Sequence, residues 1–192
     1  MPRNKNYDEN LVLEKALNTF WGNGYKATSI RMLEKEMGIN QFSIYSSFNS
    51  KKELFLKSVG KYREYVQQNI YKDLLKPDSG LAELKTFLLG ASNSQTAKFK
   101  FKGCMIVNTV AELGNSDPEI ANKVESYYNF IREMLKNILI TAIKKNEISP
   151  NIDVEQQANF FLGVMQGLSV ASRTMDTKQI NDFISVAIAQ IE

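Results

Sequence analysis

Residues 37 to 48, MGINQFSIYSSF, put a glycine between two short segments of apolar periodicity and then offer a run of small and polar side chains. Such a run can do hydrogen-bond chemistry on the edges of bases. Met37, Gly38 and Ile39 supply what a helix-turn-helix needs, since glycine permits the sharp turn and the flanking apolar residues lock two helices together. The helix that follows spans about seven residues, roughly 10 Å at 1.5 Å per residue, enough to lay its first turn across three or four base edges in a major groove. Nucleophilic and metal chemistry have less to draw on. The chain has no histidine and one cysteine, Cys104, which removes Ser-His and Cys-His pairs, Cys/His zinc sites and internal disulfides. No cofactor and no metal are expected. A helical enzyme using Glu112 as base beside Tyr127 or Tyr128 is a remote alternative. Cys104 reads as a small buried hydrophobe ahead of a redox sensor or ligand contact.

The elements that must position the motif are helical, because apolar residues recur at three- and four-residue spacing and strand signals are nearly absent. Leu13, Ala16, Leu17, Phe20 and Trp21 make one face of a first helix, ended by Gly22 and Gly24. Ile30, Leu33 and Met37 mark a second, ending at Gly38, and Asn40 can cap a third that carries Ile44, Tyr45 and Phe48. Ser50 and Glu53 have the spacing of a capping box and open a fourth helix running to about Leu75. Pro77, Asp78, Ser79 and Gly80 make the clearest break. Beyond it the pattern predicts a fifth helix from Leu81 to about Ser92, a sixth from Met105 to about Leu113, and a long seventh that Pro118 begins. Asp153 with Gln156 can cap an eighth to about Thr174, and a ninth runs from Thr177 to Ile191. The alternation from Lys98 to Lys102 reads as a loop burying Phe99 and Phe101 beneath solvated lysines. The expectation is an all-α chain of about nine helices: a three-helix DNA-binding head over residues 1–50, a linking helix over about 50–75, and a larger ligand-binding and dimerisation body over 76–192.

Charge supports this division. Residues 1–60 hold nine Lys or Arg against six acids, whereas the rest holds fifteen of each, so the whole net charge of +3 sits in the head and the start of the linking helix. Phosphate would use it there. No apolar run approaches the roughly 20 residues of a membrane span, and the polar start, MPRNKNYDEN, lacks a signal-peptide core. A cytoplasmic location without membrane association is the default expectation.

The head resembles the TetR family of bacterial regulators, whose pattern of Thr-Ser, an apolar helix, Gly-Val, a short polar stretch and Leu-Tyr-x-x-Phe-x-x-Lys is met in register by Thr28, Ser29, Ile30, Leu33, Gly38, Ile39, Ile44, Tyr45, Phe48 and Lys51. Glu34, Met37 and Phe42 depart from it. The body is similar to that family's variable ligand-binding domain, and Gly103, Cys104, Glu112 and Leu113 look like one of its subgroups. The resemblance implies that Arg3, Lys5, Thr28, Ser29, Tyr45 and Lys51 hold the DNA backbone, contacts that position without carrying sequence information. Base reading then falls to Gln41, Phe42, Ser43 and Ser46, with Gln41 able to pair with adenine and Phe42 able to touch a thymine methyl.

In the body, Phe87, Met105, Asn108, Glu112, Tyr127, Tyr128, Phe130, Phe161 and Met165 mix aromatic, thioether and polar groups and are the expected lining of any cavity, with Asn108 and Glu112 as polar anchors. Gly163, Gly167 and Ala171 leave a smooth helix stripe that, with Phe183, Ile184, Ala187 and Ile188, would suit the four-helix dimer interface the resemblance implies. The resulting expectation is a homodimeric repressor on a palindromic stretch of double-stranded DNA, released by a small-molecule inducer. A regulator without a ligand, or with a protein partner, is the alternative.

Overall fold

The computed structural model describes residues 7–93 and 102–191, and every regular element among them is an α-helix. The head holds α1 (Glu9–Asn23), α2 (Ile30–Met37) and α3 (Gln41–Phe48). Each start is capped by a side chain that fills amide donors a helix leaves open: Asp8 accepts from Asn10 and Leu11, Ser29 from Met32, and Asn40 from Ser43. Gly38 ends α2 in the left-handed region, φ 73°, with its amide donating to the Glu34 carbonyl. Helices of eight residues do not persist alone in water. Leu33, Ile44 and Phe48 are fully buried with Phe20 and with Leu54 and Phe55 of α4 (Lys51–Asn69), each side chain contributing about 1.5–3 kcal/mol of burial.

The body comprises α5 (Leu81–Asn93), α6 (Met105–Leu113), α7 (Pro118–Lys144), α8 (Val154–Ala171) and α9 (Thr177–Ala189). Helix α7 lies along α8 and α5 along α9, around Leu84, Leu135, Leu139, Phe161 and Ile184, none of them exposed. Helix α4 serves both halves, packing on α1 and on α7. It ends at Asn69, not near Leu75: the amides of Ile70 and Tyr71 both reach the Val66 carbonyl, and the turn so made buries Tyr71 and Leu74. Likewise α8 stops at Ala171, ahead of Thr174, where a turn leads into Asp176, which forms a complete capping box with Gln179 on α9. The break at Pro77–Gly80 is held against the far end of α7, with the Lys145 ammonium donating to the Asp78 carbonyl and the Leu81 amide to Glu147. Among the described residues no helix is long and apolar enough to cross a membrane. The expected loop at Lys98–Phe101 lies outside the described residues.

Candidate DNA interface and internal cavity

Helix α3 turns Ile44 and Phe48 into the core, which leaves positions 41, 42, 45 and 46 on one outward side of its 3.6-residue turn. Gln41, Phe42, Tyr45 and Ser46 are exposed there and Ser43 is half-buried. Phe42, 73% exposed, points to solvent. Two contacts were not legible in the sequence. The Tyr7 hydroxyl pairs with Ser47 Oγ at 2.6 Å and reaches the Ser43 carbonyl at 3.3 Å, fixing the N-terminal segment onto α3. Glu34 accepts from the Gln41 amide, so this departure from the family pattern is a second cap for α3. Met37, another departure, is buried in the core. Arg3 and Lys5 lie outside the described residues.

Two backbone-holding assignments need correction. Thr28 is fully buried and its hydroxyl donates to the Gly24 carbonyl at 2.6 Å, so its side chain faces inward, while exposed Ser29 is the α2 cap. Lys51 does not extend freely from the start of α4. Its ammonium lies 4.6 Å from the centre of the Tyr25 ring, where burial pushes its pKa down and the nearby Glu112 carboxylate opposes that shift.

A cavity of about 310 Å³ opens among α1, α4, α5, α6, α7 and α8. Of the expected lining, Phe87, Tyr127, Tyr128 and Met165 stand on its wall. The other five do not. Met105 and Phe161 are packed in the core, and Phe130 sits beneath the Arg63 guanidinium, 4.7 Å from its ring centre. Asn108 donates to the Lys102 carbonyl at 2.8 Å and accepts from Arg173, and Glu112 points toward the head. The sequence reading missed Trp21, Tyr62, Tyr65 and Tyr71, which also stand on the wall, and gave Cys104, which joins them there, only second place as a ligand contact. Tyr62, Tyr65 and Val66 at helical spacing on α4 were a usable signal for part of it; Trp21 gave none, being one more apolar residue on α1. The Tyr71 and Tyr127 hydroxyls meet at 3.3 Å. Burial pushes the pKa of Tyr62, Tyr71 and Tyr127 well above the ordinary phenol range and that of Tyr128 to about 12, so all four stay protonated at neutral pH.

Helix α6 grips the end of α1 from both of its own ends. Ahead of it, the Gly103 carbonyl accepts from Trp21 Nε1 at 2.8 Å, and the Cys104 amide donates to Ser169 Oγ on α8 at 2.8 Å. At its last turn, Glu112 accepts from the backbone amides of Tyr25 at 2.8 Å and Lys26 at 2.6 Å, and the Lys26 ammonium reaches the Glu112 carbonyl at 3.2 Å. Gly24, φ 80°, makes room for this: a Cβ there would lie 2.6 Å from Glu112 Oε2. With its carboxylate so engaged, Glu112 is neither a cavity anchor nor a base beside Tyr127 or Tyr128.

On the outer side of α8 and α9, Phe160, Gly163, Val170, Phe183 and Val186 are exposed, with Gly167 and Ala171 partly so. Of the expected interface residues, Ile184 and Ala187 instead face inward, at 0% and 3% exposure, and Ile188 is half-buried. The turn of α9 that carries Phe183 outward carries Ile184 to the core.

Two family models match the chain. Residues 12–57 match the bacterial regulatory proteins of the tetR family and residues 80–187 the tetracyclin repressor-like C-terminal domain. The HTH-type transcriptional repressor ComR of Escherichia coli (strain K12) is 27% identical over 175 residues, covering 89% of this chain and 82% of that one. An uncharacterized HTH-type transcriptional regulator, YezE of Bacillus subtilis (strain 168), is 26% identical over the full length of both chains. Among solved structures, a cysteine mutant of the TetR family transcriptional regulator CifR, complexed with 26-base-pair double-strand operator DNA, shares the fold. Its TM-score is 0.85 at 19% identity, over 99% of this chain and 100% of that one.

Proposed function

The chain belongs to the TetR family of DNA-binding transcriptional regulators, and from that premise we propose that it is a homodimeric repressor released from a palindromic operator when a small molecule fills the cavity. One observation carries the reading: Trp21 belongs to the DNA-binding head and is also part of the cavity wall. A molecule in the cavity therefore presses on the head itself, and release requires only that it favour a head position that DNA does not. Gln41, Phe42, Ser43 and Ser46 read bases, while Tyr45 and Ser29 meet phosphates from the same side. Arg3 and Lys5 add a basic arm ahead of the Tyr7 anchor, and Lys51 touches a phosphate directly only if it leaves Tyr25. The exposed face of α8 and α9 supports the pairing of two copies, with Phe160, Gly163, Val170, Phe183 and Val186 at its centre. In this reading the head is residues 1–50, the body 76–192, and α4 joins them; the protein works in the cytoplasm, on DNA, and is no enzyme.

Fluorescence anisotropy on its own promoter, repeated across salt concentrations, tests the proposal. A two-fold symmetric fragment should bind at least about 1,000-fold tighter than random DNA. Equal affinity for both would sink the operator reading.

A further inference from the structure

We infer that the cavity takes an uncharged, ring-bearing small molecule of about a dozen non-hydrogen atoms that offers one hydrogen-bond acceptor, such as a carbonyl. This rests on the cavity being the effector site. Its wall is rich in ring faces and edges, with Trp21, Tyr62, Tyr65, Tyr71, Phe87 and Tyr127 among the residues around about 310 Å³. Planar apolar groups gain most from such a wall. The polar side chains interrupting it, Gln166, Ser169 and Ser172 with the Cys104 thiol, are neutral, and no described lining residue is charged. Arg173 and Lys102 are not among the lining residues: Arg173 donates to the Lys102 carbonyl at 2.7 Å and to Asn108, and the Lys102 ammonium sits over the Trp21 ring, 5.5 Å from its centre. An ion entering the cavity would lose its hydration without gaining a counter-charge from the described lining.

The acceptor follows from counting phenol protons. The Tyr71 and Tyr127 hydroxyls hydrogen-bond only to each other among the described residues, so whichever donates, one of their two protons remains unused at the cavity. Because burial keeps both phenols protonated, that proton is available to a ligand oxygen throughout the physiological range. A buried donor left without an acceptor is costly, which makes the acceptor a requirement of the site.

Four para-substituted isopropylbenzenes of nearly equal size separate charge from hydrogen bonding: para-isopropylacetophenone, para-diisopropylbenzene, para-isopropylbenzoate and para-isopropylbenzylammonium. Binding to the full-length protein is read by the fluorescence of Trp21, the chain's sole tryptophan, and by calorimetry. The ketone should bind, the hydrocarbon about 5–10-fold more weakly for want of one hydrogen bond, and both ions at least about 100-fold more weakly. Tyr71→Phe with Tyr127→Phe should abolish the preference for ketone over hydrocarbon, because the hydrocarbon then no longer leaves a phenol proton without an acceptor. The inference is overturned if either ion binds as well as the ketone, if no probe registers by either method up to its solubility limit, or if the double variant keeps the ketone preference. The probe series on the unaltered chain decides the charge question whether or not that variant folds. Operator release is scored separately. Selective ketone binding that leaves DNA bound refutes the effector reading alone, and release by an ion refutes the ligand class alone.

Discussion

Replacing Glu112 by glutamine tests the grip of α6 on the head with almost no change in shape. The carboxylate accepts from two amides, Tyr25 at 2.8 Å and Lys26 at 2.6 Å. Glutamine can accept from one of them, and its amide group then turns N–H donors toward the other. Hydrogen bonds to a charged group contribute about 1.5–3 kcal/mol each. Lys26 is exposed, so solvent replaces part of that loss, and the expected destabilisation is about 1.5–2.5 kcal/mol. Urea unfolding at matched protein concentration, with operator affinity measured beside it, reads the effect. A double-mutant cycle sharpens it. Gly24→Ala alone carries two penalties, a left-handed φ of 80° and a Cβ lying 2.6 Å from Glu112 Oε2. In the Glu112→Ala background the second penalty vanishes, so the two changes should couple by about 1 kcal/mol or more. Additive free energies, or a Glu112→Gln midpoint matching the parent, would refute the argument that this carboxylate holds the head.

Other expectations concern the DNA face, the dimer and pH. Gln41→Ala should cost about 1–3 kcal/mol of operator affinity and relax selectivity at one base position, whereas Tyr45→Phe should weaken every sequence alike by about 1 kcal/mol; anisotropy against single-base operator variants separates them. Val186→Glu, at a position 64% exposed, should leave the fold intact and yield monomers in sedimentation, because the added charge would be buried only in the dimer. Raised phenol pKa values at Tyr62, Tyr71 and Tyr127 mean that the unfolded chain loses those protons first as pH rises. Their stabilising contribution is complete below about pH 10 and is lost above it. Tyrosinate absorbance of these residues should therefore appear together with unfolding, and its appearance in a folded chain near pH 10 would contradict their burial.

The head was legible in sequence because its determinants are local. Gly38 ends one helix, Asn40 begins the next, and Ile44 and Phe48 set the buried side of α3, so the exposed positions follow by elimination. The cavity was only half legible because its residues converge from elements far apart in the chain. Tyr127 and Met165 were found as aromatic and thioether groups on body helices, yet Trp21 was hidden by belonging to the head. Glu112 shows the other limit. A carboxylate near a cavity suggests a ligand anchor, and nothing in its neighbours along the chain tells that it reaches the amides of Tyr25 and Lys26, 87 and 86 residues away. Thr28 was misjudged for a similar reason, since its hydroxyl turns back onto Gly24 and leaves the capping to Ser29.

The placement of Trp21 bears on how this protein can be recombined. A chimera joined near residue 50, meant to give a foreign head the effector response of this body, would import a different side chain at position 21 and so rebuild one wall of the effector chamber. Operator choice and effector choice are therefore not separately transplantable at that junction. A graft confined to α3, residues 41–48, would exchange the proposed base-reading surface and leave the cavity wall unchanged, since none of those residues lines it.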